Sequence, residues 1–282
     1  MFVQRRAAGL GLLVVSFMVL FVLEPFPVHA GTPIVFDSSV TNNCAGCTTL
    51  SWSHTVGTGS DGILIVGLSG FKNNLATSVT FGAKSLSRLG NRFGYSNVNV
   101  ELWALLNPSS ACAPSPPPCT ATVTVTTTAD NILAGGSVSY FNVGGTGSVT
   151  SADDGGTPGT TGSVMVSSSN SGDLVVDAFG AYNNGPTPTP ASQGSGQTQR
   201  WYTGLVQPIS IAFFVGGGSD KPDSPPVTMT WSIANSAAWS LIAVPLIPAT
   251  VIPEYPLGLP ILGILTLVGY GLIRRRTRDD YN

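Results

Sequence analysis

The chain has 282 residues, of which only 9 % are charged and 43 % hydrophobic, with a formal net charge of −2. That is far below the roughly 25 % charge of an average soluble protein. Frequent β-branched and aromatic residues also set it apart from disordered sequences. Between residues 31 and 256, six basic residues (Lys72, Lys84, Arg88, Arg92, Arg200, Lys221) face eleven acidic ones, a balance of −5 that leaves no basic stripe and excludes nucleic acid as a partner.

At the N-terminus, Arg5 and Arg6 precede an uncharged run from Ala7 to Leu23, and Val28-His29-Ala30 closes the stretch with small residues. This order predicts a secretory signal peptide over residues 1–30, cleaved after Ala30. From residue 31 onward the pattern is of strands, with almost no helical periodicity. Short apolar or alternating runs are separated by Gly, Asn, Asp, Pro and Ser clusters. Strands are expected at 33–39, 49–55, 62–70, 78–81, 97–106, 121–127 and 134–142, then at 163–168, 173–182, 198–202, 209–215, 227–233 and 239–246.

Alternation is clearest in Thr120-Ala-Thr-Val-Thr-Val-Thr126, where threonines face one way and Val123 and Val125 the other. Asn97-Val-Asn-Val-Glu-Leu102 and Val227-Thr-Met-Thr-Trp-Ser-Ile233 repeat it. Such runs suit half-buried antiparallel strands, whereas Ile63-Leu-Ile-Val66 and Leu174-Val-Val176 suit burial on both faces. The expected fold is therefore all-β, an antiparallel sandwich of jelly-roll-like type over residues 31–248. Two smaller immunoglobulin-like sandwiches joined near Gly144–Gly162 are the alternative, but no sharp linker separates the halves. Residues 144–162 and 185–196 are expected to be exposed loops.

Four cysteines lie in this body, as Cys44-Ala-Gly-Cys47 and Cys112-Ala-Pro-Ser-Pro-Pro-Pro-Cys119. An even count in an exported chain predicts two local disulfides, Cys44–Cys47 and Cys112–Cys119. The Pro-rich gap fits a zinc site poorly.

Residues 249–256 form a Pro-rich spacer. From Leu257 to Ile273 there are 17 residues without a charge, at the short end of the roughly 17–25 that span a bilayer. Arg274, Arg275 and Arg276 follow at once, and cytoplasmic flanks carry the excess of Arg and Lys. One C-terminal transmembrane helix (257–273) with a cytoplasmic basic tail (274–282) is expected, in contact with membrane lipid. The body then lies outside the cell membrane, the orientation that the signal peptide independently predicts.

The phrases Trp52-Ser-His-Thr-Val-Gly57, Leu64-Ile-Val-Gly-Leu-Ser69, Val100-Glu-Leu-Trp-Ala-Leu105, Ala121-Thr-Val-Thr-Val-Thr126, Gly172-Asp-Leu-Val-Val-Asp177 and Val227-Thr-Met-Thr-Trp231 resemble a recurrent β-sandwich module of secreted bacterial and archaeal proteins. The resemblance covers most of residues 48–248 and implies fold and compartment, with no assigned activity. The run Pro253, Glu254, Tyr255 and Pro256, followed by an apolar span and arginines, resembles the archaeal surface-protein tails with a Pro-Glu-Phe-Pro-like motif, Tyr255 replacing the usual Phe. That resemblance implies a sorting motif at these four residues, recognised and processed by a membrane transpeptidase.

Chemistry-bearing residues are few. His54, the single histidine beyond the signal peptide, shares a strand face with Trp52 and is read as packed; no G-x-S-x-G elbow accompanies it. A glycosidase needs two converging carboxyls. The exported part has only two glutamates, Glu101 and Glu254, and the second belongs to the tail motif. Glu101 and Asp177 are therefore the candidates for such a pair. Asp153-Asp154-Gly-Gly-Thr157 is a weak calcium candidate without the regular loop spacing. In Gln199-Arg-Trp-Tyr202, Trp201 and Tyr202 point to opposite faces, and with Arg200 they are the candidate ligand contacts. The remaining tryptophans read as core.

These features predict a non-enzymatic, membrane-anchored surface protein serving adhesion, envelope structure or ligand presentation, without a cofactor. Envelope proteins or glycans and a sorting transpeptidase are the partners that this implies. A carbohydrate-binding surface module is the alternative, with a glycan hydrolase the lesser one.

Overall fold

The computed structural model describes residues 32–250, apart from 72–75, 96, 168, 186–189, 208–211 and 223–225, together with Thr266, Leu267 and Tyr270. The signal peptide and the sorting motif Pro253, Glu254, Tyr255 and Pro256 lie outside the described residues. So do most of the span 257–273 and the arginines Arg274, Arg275 and Arg276. Among the described residues, no helix is long and apolar enough to cross a membrane. Residues 31–250 form one compact unit.

That unit is all-β, with antiparallel pairing throughout. The first half of the chain supplies β1 (Val35–Val56), β2 (Ile63–Phe71), β3 (Ala76–Phe81), β4 (Lys84–Ser85), β5 (Ser87–Phe93), β6 (Val98–Leu106) and β7 (Cys119–Phe141). A 3-10 turn, Pro108–Cys112, precedes β7. The second half supplies β8 (Val143–Thr146), β9 (Thr150–Asp153), β10 (Gly159–Val166), β11 (Leu174–Asn183), β12 (Ala191–Gln193), β13 (Thr198–Gln207), β14 (Ala212–Pro222) and β15 (Val227–Pro248). One sheet runs β4-β3-β7-β2-β6-β5 with β1 on β7. The other runs β10-β15-β11-β14-β13, with β8, β9 and β12 on β15.

A jelly roll builds two Greek keys into its pair of sheets; here each sheet comes from one contiguous half of the chain. The halves meet at Asn142, whose left-handed φ of 62° turns the chain between them. The division therefore resembles the two-sandwich alternative, while the shared core described next makes the halves a single unit.

The two halves repeat each other in register. Val56 pairs with Cys119 as Val166 pairs with Val227, and Asn43 with Ala134 as Asp153 with Ser240. Ile63 pairs with Tyr140 as Leu174 with Leu246, and Phe71 with Val98 as Tyr182 with Phe214. Even the bulge recurs: Leu89 is the extra residue of β5, and Arg200 that of β13. Equivalent residues meet along a local twofold axis between β2 and β11. The rings of Phe71 and Tyr182 lie 4.3 Å apart, and a Cβ placed on Gly67 would come 3.1 Å from that of Ala178.

Three cores result. Between the sheets lie Ile63, Ile65, Leu102, Tyr140, Val176, Trp201, Ile242 and Val244. The long strands β7 and β15 then carry their first halves back over the outer faces. This encloses Trp52, Leu64, Phe81, Trp103 and Val123 in one half, and Phe179, Met229, Trp231 and Leu241 in the other. Burial follows: β15 alternates over Val227–Ile233 and is continuously buried from Ala237 to Leu246. Each large apolar side chain withdrawn from water contributes about 1.5–3 kcal/mol.

The outward face of each folded-back leaf is hydroxylated. Thr80, Thr124 and Ser51 form one cross-strand row, and Ser192, Ser232 and Thr161 form its equivalent. Threonine there offers β propensity to the backbone and a polar group to water.

Both expected disulfides are present, Cys44–Cys47 and Cys112–Cys119. The first closes a bulge inside β1, where Gly46 takes a left-handed φ of 72°. The second ties the 3-10 turn to the start of β7. Replacing Cys112 and Cys119 together by alanine is expected to cost about 2–3 kcal/mol, from an unfolded chain freed of a short loop. Urea unfolding checks this, and an unchanged midpoint would contradict it.

Candidate functional sites

Arg200, Trp201 and Tyr202 do not form an exposed platform. The β13 bulge sends Arg200 and Trp201 toward the shared core and Tyr202 toward the outer core of the second half. Trp201 is 4 % exposed. It presses on Gly67, Gly136 and Gly218, and a Cβ at either of the last two would overlap its indole. The Tyr202 hydroxyl accepts the Ala191 N–H at 3.0 Å, and its ring stacks at 6.5 Å from Trp231. Arg200 Nε donates to Asp220 Oδ2 at 2.5 Å while its guanidinium covers the Phe36 ring at 3.9 Å. The Tyr140 hydroxyl donates to the same carboxylate oxygen at 2.9 Å. Burial and the adjacent Asp220 push the Tyr140 phenol up, so it stays a donor. This corrects the expectation of a ligand surface at Trp201: the side chain is a strut between the sheets.

Glu101 and Asp177 are both buried, on opposite outer faces of the facing sheets. Glu101 accepts the Ala76 N–H at 2.8 Å and the Trp103 indole N–H at 3.0 Å, and pairs with Arg88 Nε at 3.2 Å. Burial raises its pKa against the pull of these partners. Asp177 accepts the Ser219 N–H at 2.6 Å, the Ser219 hydroxyl at 3.0 Å and the Trp231 indole N–H at 2.9 Å. Burial pushes it up to about 7 despite these donors. An intersheet layer about 10 Å thick separates the two, so they do not converge on one sugar linkage.

His54 sits in a chain of hydrogen bonds that settles its tautomer. The Trp52 indole N–H donates to Ser137 Oγ at 2.7 Å, and Ser139 Oγ donates to Asp37 Oδ2 at 2.7 Å. Ser137 therefore gives its proton to His54 Nδ1 at 2.8 Å, and His54 Nε2–H donates to Ser139 Oγ at 3.0 Å. Burial lowers the imidazole pKa to about 4, with Asp37 opposing. Both serines are fully buried, so the network fastens β1 to β7 and offers no surface nucleophile.

In the Asp153–Asp154 turn, Asp153 pairs with Arg92 at 2.8 Å and caps the Gly155 N–H at 2.8 Å; Asp154 Oδ1 accepts the Gly156 N–H at 3.0 Å. Among the described residues no cluster of three or more His, Cys, Asp or Glu could hold a metal. The Arg92–Asp153 pair has a twofold equivalent, since Asn43 Nδ2 donates to Thr203 Oγ1, so the turn serves the contact between halves. A depression of about 200 Å³ lined by Pro158, Tyr182, Asn183 and residues 236–238 lies apart from all these groups.

Sequence reasoning missed the polar residues that matter most inside: Asp37, Ser137, Ser139, Gln197, Ser219 and Asp220. Ser137 and Ser139 stood at alternate positions of Gly-Ser-Val-Ser-Tyr140, and inward-facing serines on a strand are the signal that could have flagged them. Comparisons of the chain with protein-family models, with curated proteins and with solved structures find no match.

Proposed function

We propose that the chain is an exported, non-enzymatic surface protein, whose β-sandwich body is held to the outer face of a membrane by one C-terminal helix. It serves adhesion, envelope structure or ligand presentation there. The observation that carries this reading is the pair of disulfides in the body, because such bonds form and persist in oxidising compartments. The two uncharged terminal runs and the arginines after the second supply the topology. The module and tail resemblances add a secreted setting and a transpeptidase acting at Pro253–Pro256, with Glu254 as the acidic residue of the motif it reads.

Protease added to intact cells is expected to digest the body and leave a C-terminal fragment carrying Arg274–Arg276. Full protection of the body would overturn the topology. Mass spectrometry of the native C-terminus separates two fates of the tail: Asn282 marks a lasting anchor, and an end near Pro256 marks processing.

A further inference from the structure

In the outer core of the second half, a side-chain amide, two hydroxyls and a carboxyl are packed into one cluster that is buried except at the half-buried Thr230. Gln197 Nε2 donates to Ser219 Oγ at 2.7 Å and reaches Asp177 Oδ2 at 3.5 Å. Its Oε1 accepts the Thr230 N–H at 2.7 Å and the Thr230 hydroxyl at 3.2 Å. The Ser219 hydroxyl is directed at Asp177 Oδ1, 3.0 Å away. Gln197, Ser219 and Asp177 are 8 %, 2 % and 3 % exposed. Trp231, stacked on Phe179 at 4.9 Å, closes the cluster and donates to Asp177.

The fold does not itself require this cluster. By the strand register on either side, the first-half equivalents of Asp177 and Ser219 are Val66 and Trp103, which pair with each other, whereas the Ser219 N–H turns to the Asp177 carboxylate. An apolar pair fills the same place there. The arrangement in the second half is that of an acyl transfer. The amide carbon is the electrophile, the serine proton already points to a base, and two donors sit on the oxygen where charge would develop.

We propose that Ser219 Oγ attacks Cδ of Gln197 to form an intramolecular ester joining the turn before β13 to β14, with release of ammonia. The Oγ–Cδ bond forms as the serine proton passes to Asp177 Oδ1, and negative charge collects on Oε1 under the Thr230 donors. The Cδ–Nε2 bond then breaks, the carbonyl re-forms, and the proton held by Asp177 goes to the departing nitrogen, which leaves as NH3. The step is redox-neutral and uses no co-reactant. The Nε2–H bond holds the serine oxygen against the amide, from which a rotation of the Gln197 amide plane brings Cδ into its path, and holding both groups in place removes the entropy of encounter. A carboxyl titrating near neutrality suits both halves of the proton transfer.

Mass spectrometry of the purified full chain tests this directly. Once the mature N-terminus is known, the protein is expected to weigh one ammonia less than its disulfide-bonded sequence. Trypsin cuts after Arg200, between the two partners, and the flanking peptides should stay joined until hydroxylamine cleaves the ester. Ser219→Ala and Asp177→Asn should each restore the full mass. A wild-type chain at its full sequence mass overturns the proposal, whether or not the variants fold. So does an ammonia loss that maps away from Gln197 or survives Ser219→Ala.

Discussion

Trp201→Ala is expected to lower the unfolding free energy by about 3–5 kcal/mol, the range for deleting a buried tryptophan. A body of this kind has only about 5–15 kcal/mol in total. The ring lies between the sheets against Gly67, Gly136 and Gly218, three positions without a side chain. Gly136→Ala is the complementary lesion. Its new Cβ would overlap the indole, and the ring cannot retreat, because Gly218 faces its other atoms equally closely. The expected cost is therefore above the usual 1–3 kcal/mol of overpacking.

The double variant decides the mechanism. With the indole gone, the alanine at 136 enters vacated space, so Gly136→Ala/Trp201→Ala should be clearly more stable than the sum of the single losses predicts. Urea unfolding followed by far-ultraviolet circular dichroism measures all three variants. Strict additivity would show that ring and glycine do not share one packing site. Loss of sugar binding in Trp201→Ala, with stability unchanged, would instead return the residue to the surface.

Gly218 and its neighbours show where the sequence was readable and where it was not. Period-2 alternation placed Val123, Val125, Met229 and Trp231 inward, and continuous apolar runs placed β2 and β11 between two cores, as found. The two cysteine pairs were equally legible, because spacing and composition left little else for them to do. Gly216-Gly217-Gly218, by contrast, carries the signature of a strand breaker. It lies inside β14, where the sheet is thinned so that Trp231 presses on Gly217 from one side and Trp201 on Gly218 from the other. Periodicity reports which face a residue occupies; a glycine that makes room for a distant ring is a pairwise fact with no local signature. The tandem repeat was hidden for the same reason. Its halves agree in register and outward hydroxyls, while inward positions have exchanged partners, as where Gly90 and Leu102 stand opposite Trp201 and Gly218.

Two buried groups should give the body opposing responses to pH, and single variants should expose each. His54 titrates at about 4 in the folded chain, against about 6.5 when unfolded. Between these values the unfolded chain binds the extra proton. Stability from this group is thus complete above pH 6.5 and falls with pH, by about 3 kcal/mol by the time pH 4 is passed. Protonation also disturbs the network, because Nδ1 then carries a proton and no longer accepts from Ser137, whose hydroxyl must take a second donor beside the Trp52 indole N–H and lose the acceptor for its own proton. Asp177 has the reverse sign. Its folded pKa of about 7 lies above its ordinary 3.8, so the folded chain holds the extra proton between them. Stability from it is present below pH 3.8 and is lost as pH rises to 7, by about 4 kcal/mol. Glu101, raised in the same direction, adds to the second trend. Wild-type stability should therefore fall only gently as pH rises from 4 to 6.5, with His54 offsetting most of the two carboxyl contributions. In Asp177→Asn the His54 response stands out more, and stability should climb with pH over that window. In His54→Gln it should fall. The slopes carry the test, since both substitutions also disturb hydrogen bonds and shift the absolute level. If both variants keep the wild-type slope, neither group is linked to folding in the way its burial implies.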